Sequence, residues 1–479
     1  MNLKQQAFNG VKWTTFSSVI NAILQLAQLM ILARYLSPHD FGLLSILMVV
    51  VGFSRVFVDF GLSKAIIYKK NISNSQLSTL YWLNILLSVC IFIILYFISS
   101  FIANFYNESM LESLIILISS SLVIQAFGQQ FRTLFQKELQ FNILAKIDIF
   151  AAIISFIVAI CLAINGFGIY ALVYPILIMA LIKSILLVYI GLQHHKPKFV
   201  FNILEVKEFL SFGSYTVGNG IVSTIATQID VLIIGKLLGT ETLGLYSIIK
   251  ELILRPAQLI NPIITKVAFP TMSKVNHDIN QVRRIYLKLI NYISSVNFPI
   301  YIASFILAQE IITIFLGEKW LNGVEIFQIL SIWGLVRSIS SPIGTLIMSL
   351  GKPQYEMYFN VFIMFYMPCV LFLVIPFGII GVAYINLISI LIFLILEVLF
   401  ITKKLCNLSL KEYFLSSFSP LVISLVAGIF VYIVLNLYDF TLAYKFMVSI
   451  MVGIPILWIL NKKYNQDFYN ILLSLVGFN

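Results

Sequence analysis

The sequence carries little charge: Asp, Glu, Lys and Arg make up 11% of its 479 residues. So thin a polar coat cannot solvate a globule of this length. With 60% hydrophobic residues and a mean hydropathy of +0.99, a soluble fold is excluded. Cysteine is scarce too. Cys90, Cys161, Cys369 and Cys406 are scattered without metal-ligand spacing, and are expected to be small core residues with no disulfide framework. No Walker-type phosphate loop occurs, so any transport cycle draws its energy from elsewhere than nucleotide hydrolysis by this chain. No stretch has the composition of a soluble domain. A cleavable signal peptide is not expected, because the first apolar stretch has full spanning length and lacks a small-residue cleavage site. The net charge of +11 does not imply nucleic acid, since cytoplasmic loops of membrane proteins accumulate Lys and Arg in any case.

What the chain has is long apolar runs. Cutting at polar turns gives an all-α polytopic membrane protein of about fourteen transmembrane helices. Their spans are 11–33, 41–63, 78–103, 112–133, 145–165, 169–192, 212–236, 243–265, 286–312, 325–348, 357–377, 379–402, 414–437 and 442–461. Each supplies the ~20 residues needed to cross hydrocarbon. With the N-terminus cytoplasmic, about 22 of the 31 Lys and Arg fall on cytoplasmic segments, among them Lys69-Lys70, Arg283-Arg284 and Lys462-Lys463. The other side keeps Arg34, Lys236, Lys319 and Lys445. Both termini are therefore expected in the cytoplasm.

The chain also repeats itself. Arg34 to Ile46 lies on Lys236 to Ile248 at an offset of about 202, with Leu, Gly, Leu, Ser and Ile coinciding. Phe167 to Tyr174 lies on Phe377 to Tyr384 at about 210. A duplicated half of even helix number gives two parallel, pseudo-symmetric six-helix lobes plus two C-terminal helices. The expected organisation is an N-lobe at 1–192, an amphipathic cytoplasmic linker at 193–211, a C-lobe at 212–404, and helices 13 and 14 with a cytoplasmic tail at 405–479.

Charges inside the apolar segments mark candidate sites, because each costs about 2.5–3.5 kcal/mol at the helix centre on insertion scales. Arg255 and Arg337 both fall roughly twelve residues from the outer end of their helices, without an obvious carboxylate at their own depth. They are the leading candidates for contact with an anionic substrate. Asp230 and Lys250 share a depth on consecutive helices and could pair. Arg55 and Asp59 share a face of the second helix, as a structural lock or as a site. At the repeat offset Asp59 falls on Asn261. Arg34 and Lys236 lie near enough to the outer interface to snorkel, and Lys183 and Glu397 near enough to the inner one to snorkel or pair locally. Arg255-Pro256 and Asn261-Pro262 are expected to bend or break the eighth helix.

The pattern Asp230-x-x-x-x-Gly235-Lys236-Leu-Leu-Gly239, Leu243-Gly244-x-Tyr246 and Val267-Ala-Phe269-Pro270 resembles the polysaccharide transporters of the multidrug/oligosaccharidyl-lipid/polysaccharide exporter superfamily. Leu36-Ser-Pro-x-x-Phe41-Gly42 and Asp59-Phe-Gly61-Leu62 look like the matching part of the first lobe. The resemblance spans nearly the whole chain. It implies a Wzx-type flippase of the bacterial inner membrane, not an enzyme, without cofactor or metal. Such a flippase moves undecaprenyl-pyrophosphate-linked oligosaccharide by alternating access for capsule, exopolysaccharide, O-antigen or lipopolysaccharide synthesis. Membrane lipids, a polysaccharide polymerase and a chain-length regulator are the partners it implies. Arg255, Arg337, Arg55, Arg34 and Lys250 would meet the pyrophosphate, and Asp230 or Asp59 would couple transport to Na⁺ or H⁺ or act as a gate. The alternatives are a multidrug/cation antiporter of the same superfamily and a membrane glycosyltransferase or polymerase. The interior cations and extra helices disfavour the first, and the short outer loops disfavour the second.

Overall fold

The structure, a computed structural model, describes residues 3–69, 71–437 and 441–476. Lys70 of the basic pair lies outside the described residues. Among those residues the secondary structure is helical, with no β-strand. By contact the chain forms two compact units: Met1–Ser247 with Ile363–Pro368, and Ile248–Phe362 with Cys369–Asn479.

The first unit holds α1 (Leu3–Tyr35), α2 (Pro38–Asp59), the short α3 (Leu62–Tyr68), α4 (Asn74–Tyr106), α5 (Met110–Lys137), α6 (Phe141–Ile164), α7 (Tyr170–Gly191), α8 (Lys207–Leu237) and the first turns of α9 (Thr240–Lys274). Within it α1 packs on α6, both α5 and α6 pack on α7, and α4 packs on α5. α2 starts at a capping box in which the Ser37 hydroxyl and the Asp40 carboxylate satisfy each other's backbone amides. It stops at Phe60-Gly61, where Gly61 has φ 67°, a conformation open to glycine at little cost.

The segment between α7 and α8 is an extended strap ending in a 3-10 turn, Ile203–Val206, and it is laid on α4. The Trp82 indole N–H donates to the Lys198 carbonyl at 2.9 Å, and Phe199 stacks on the Trp82 ring at 4.7 Å. The amides of Lys198 and Asn202 donate to the hydroxyls of Ser78 and Thr79 at 3.0 and 3.1 Å. Just beyond, Glu208 pairs with Lys69 at 2.7 Å, and that ammonium holds its carboxyl below the usual carboxylate range.

One contact expresses the sequence repeat directly. A Cβ on Gly42 would stand 1.8 Å from the Thr240 carbonyl oxygen, and one on Gly244 would stand 1.7 Å from the Pro38 carbonyl oxygen. Both Gly42 with Gly244 and Pro38 with Thr240 are related by 202 residues. The same close approach is thus made twice with the roles exchanged, as across a two-fold axis. The packing continues along α2 and α8, where Gly220 meets Val56 and Gly213 meets the Phe60 carbonyl. Small residues let helix backbones approach closely where no hydrophobic effect drives them together.

The second unit holds the rest of α9, then α10 (Ile279–Ile306), α11 (Ala308–Phe315), α12 (Val324–Ser340), α13 (Ile343–Ser349), α14 (Gln354–Val374, its middle belonging to the first unit), α15 (Gly378–Leu396), α16 (Lys403–Cys406), α17 (Leu410–Leu437), α18 (Leu442–Tyr464) and α19 (Gln466–Val476). α15 and α16 are joined by a π-helical stretch, Glu397–Thr402. α10 packs on α12 and α17, α12 on α15, and α17 on α18.

Twelve helical segments among the described residues are long and apolar enough to cross a membrane. The expected count of about fourteen is not reached on that measure, for two reasons. Gln354–Cys406 counts once yet holds α14 and α15, separated at Gly378 with φ 66°. α9 has the length, at 35 residues, but Lys250, Glu251, Arg255 and Lys266 interrupt its apolar surface. The cysteines also depart from expectation: Cys406 is buried, whereas Cys90, Cys161 and Cys369 are exposed on their helices.

The glycine contact predicts that Gly244→Ala, which forces a methyl into a backbone carbonyl, destabilises the protein by about 1–3 kcal/mol or more. Gly218→Ala, where a Cβ meets nothing within 4 Å, is neutral or stabilising. Thermal unfolding of the two variants in detergent checks this. Equal melting temperatures would mean that the helices do not touch there.

Candidate functional site

In the first unit some of the ionisable side chains are held by neighbouring helices. Asp59 does not pair with Arg55 as expected. It accepts from Ser63 on α3, whose hydroxyl in turn accepts from Gln129 at 3.1 Å and Thr133 at 3.2 Å on α5. Arg55 is exposed and makes no ion pair among the described residues. Arg34 is exposed at the end of α1, and Lys236 donates to the Phe105 carbonyl while lying 4.7 Å over its ring.

A triad that no local sequence pattern announces joins three helices. Arg132 on α5 grips Asp148 on α6 with both terminal nitrogens, at 3.0 and 2.9 Å, and Lys183 on α7 reaches the same carboxylate at 2.9 Å. Lys183 therefore pairs locally. Asp230 is buried, 3% exposed, and its carboxylate accepts the phenolic hydrogen of the fully buried Tyr246 at 2.8 Å and the Val231 amide at 2.9 Å.

In the second unit α9 does not break. It runs as one helix through Pro256, Pro262 and Pro270. A proline deprives the preceding turn of a donor, and beside two of the three the neighbouring helices bond to α9. The Tyr301 hydroxyl on α10 donates to the Ile253 carbonyl at 3.0 Å. Next to Pro262, the buried Asn261 donates to the Ser338 carbonyl on α12 at 3.0 Å and accepts from Asn297 on α10 at 3.0 Å. Asn261 thus ties three helices together. Its polar character follows from the repeat equivalence with Asp59, but its partners do not.

These bonds also fix the level of the two leading candidates. Ile253 meets Gly334 and Asn261 meets Ser338, so Arg255 and Arg337 sit on neighbouring stretches of α9 and α12. Their surroundings differ. Arg255 pairs with Glu251 one turn earlier, contrary to the expectation of a lone cation. That acid-before-base order at i,i+4 is the favourable one on a helix. Arg337 is half-buried and makes no ion pair among the described residues. Three residues on, Ser340 donates to Glu397, which is buried rather than snorkelling, 6% exposed. Glu397 opens the π-helical stretch, and such bulges concentrate at functional sites. Lys250 is half-buried on α9. Among the described residues no group of His, Cys, Asp and Glu is arranged to hold a metal ion.

The family described as "Polysaccharide biosynthesis protein" matches residues 31–325. An uncharacterized membrane protein in the cps region of Klebsiella pneumoniae is 34% identical over 424 residues, covering 88% of this chain and 87% of that protein. The lipopolysaccharide biosynthesis protein WzxC of Escherichia coli is 30% identical, covering 89% and 87% respectively. The teichuronic acid biosynthesis protein TuaB of Bacillus subtilis is 30% identical over 97% of both chains. In three dimensions the chain is similar to the lipid II flippase MurJ in an inward closed conformation, with a TM-score of 0.77 at 16% identity, over 95% of this chain and 99% of that one. At that identity the likeness describes the fold alone.

The Asp230–Tyr246 bond predicts a coupling of about 0.6–1.7 kcal/mol between Tyr246→Phe and Asp230→Asn in a double-mutant cycle of unfolding stability, the range for a hydrogen bond between membrane helices. Additive effects would show that the pair contributes nothing.

Proposed function

The chain belongs to the polysaccharide biosynthesis protein family, and from that premise we propose that it is a flippase for undecaprenyl-pyrophosphate-linked oligosaccharide. It works in the bacterial inner membrane, with both termini cytoplasmic, and serves the synthesis of a surface polysaccharide. The names of WzxC and TuaB support a role in such synthesis, and the MurJ-like fold supports a lipid-linked cargo.

The observation that carries the assignment is Arg337. A half-buried guanidinium within an apolar helix, without an ion-pair partner among the described residues, is expensive unless an anion or water meets it. A pyrophosphate is such an anion, and the planar fork of Arg offers it two parallel donors. Arg255 serves the same cargo by exchanging Glu251 for it. Arg55, Arg34 and Lys250 are further phosphate contacts along the route. Asp230 and Asp59 are the carboxylates through which a Na⁺ or H⁺ gradient acts. A polymerase and a chain-length regulator take up the delivered units. No chemistry on the cargo is required of the chain.

In proteoliposomes carrying a fluorescent lipid-linked oligosaccharide, Arg337→Ala lowers the flipping rate roughly 10- to 100-fold, the worth of one charged hydrogen-bonded contact. Arg337→Lys recovers part of the rate, through charge without the fork. Arg255→Ala has the smaller effect. Wild-type rates in both alanine variants would remove these residues from the route.

A further inference from the structure

Away from these residues, the second unit contains a cavity of about 500 Å³ between the first half of α10, the start of α17 and the elbow joining α18 to α19. That volume lies within the roughly 300–1,000 Å³ of small-ligand pockets. Its walls are pinned. Asn291 on α10 donates to the Ser416 carbonyl of α17 at 3.0 Å, Ser419 donates to the Tyr464 carbonyl at 2.9 Å, and the buried Asn465 donates to Ser295 at 2.8 Å. α19 is held in place by Phe468 against Tyr292 and Tyr469 against Trp458.

The charge of the lining is lopsided. Arg284, Lys288 and Lys463 face one acid, Asp467, and that acid is already paired with Lys288 at 3.0 Å. Arg284 has no acidic partner among the described residues, and Lys463 lies 5.1 Å over the ring of Tyr464. α19 begins at the cavity wall and adds the positive end of its dipole. Three exposed cations are thus gathered around one hollow, and two of them, Arg284 and Lys463, have no acidic partner among the described residues.

We propose that this cavity is a binding site for the phosphodiester headgroup of an anionic phospholipid. Position favours a lipid over a soluble phosphate. Arg284 and Lys463 lie at the ends of the spanning segments Ile279–Ile306 and Tyr444–Tyr464, where headgroups sit. Tyr292 and Tyr464 flank the cavity as aromatic side chains do at a membrane interface. Basic pockets between helices on the cytoplasmic side suit such headgroups, and the cytoplasmic placement of this end rests on the orientation given above.

The test uses the purified full-length chain in detergent and native mass spectrometry, with phosphatidylglycerol and phosphatidylcholine of identical acyl chains as probes. The wild type retains phosphatidylglycerol in preference. Arg284→Ala with Lys463→Ala weakens that retention about 25-fold, about fivefold for each basic side chain near a lipid surface, while Arg284→Lys with Lys463→Arg keeps it. Equal retention of both lipids, or an unchanged preference in the double alanine variant, would overturn the site. So would displacement by inorganic phosphate as effective as that by phosphatidylglycerol, which would mark a soluble ligand. Should the alanine variant not fold, the preference of the wild type must fall from low to high salt, and a salt-independent preference overturns the proposal. None of these measurements depends on flipping activity.

Discussion

A charge inside hydrocarbon has no water to fall back on, and the positions of the polar side chains in this protein follow from that constraint. Asp148 is shared by Arg132 and Lys183, Asp230 takes the hydroxyl of Tyr246, Asp59 that of Ser63, and Glu397 that of Ser340. Each bond crosses from one helix to another, so the same groups that avoid exposure to lipid also fix which helices are neighbours. Taken singly, hydrogen bonds between membrane helices average about 0.6 kcal/mol. Their effect here is on specificity of assembly more than on total stability.

Against that background Arg337 and Arg255 differ in kind. Arg255 has a partner on its own helix, one turn away, and that pair can open without any helix moving. Arg337 makes no ion pair among the described residues, on a helix fastened to its neighbours by Asn261 and by Tyr413, whose hydroxyl donates to the Ile339 carbonyl at 2.8 Å. A guanidinium on so well-anchored a backbone is held ready for a ligand at little further ordering cost.

The helical class, the repeat and the level of the two arginines were legible in the sequence, because each depends on composition, identity at a fixed offset or distance along one helix. What was not legible depends on the meeting of distant residues. Arg132, Asp148 and Lys183 lie on three helices, and no spacing announces their meeting. Glu397 looked like a residue near a helix end, and its burial became visible only with α12 against α15 and Ser340 beside it. The prolines of α9 gave a break by local rules, whereas the helix runs on through them, bonded to α10 through Tyr301 and Asn297 and to α12 through Ser338. Asp59 had an arginine four residues away and took a serine instead, since the turn at Gly61 brings α3 back against it.

The doubled glycine contact carries a consequence for how such a chain tolerates change. In a free-standing half, one gene segment would encode both sides of that meeting, so every mutation there would strike twice and neither flank could vary alone. Fusing the copies releases the flanks: position 38 is now proline and position 240 threonine, while glycine persists at 42 and 244, where a methyl group on either side would collide with the opposing main chain.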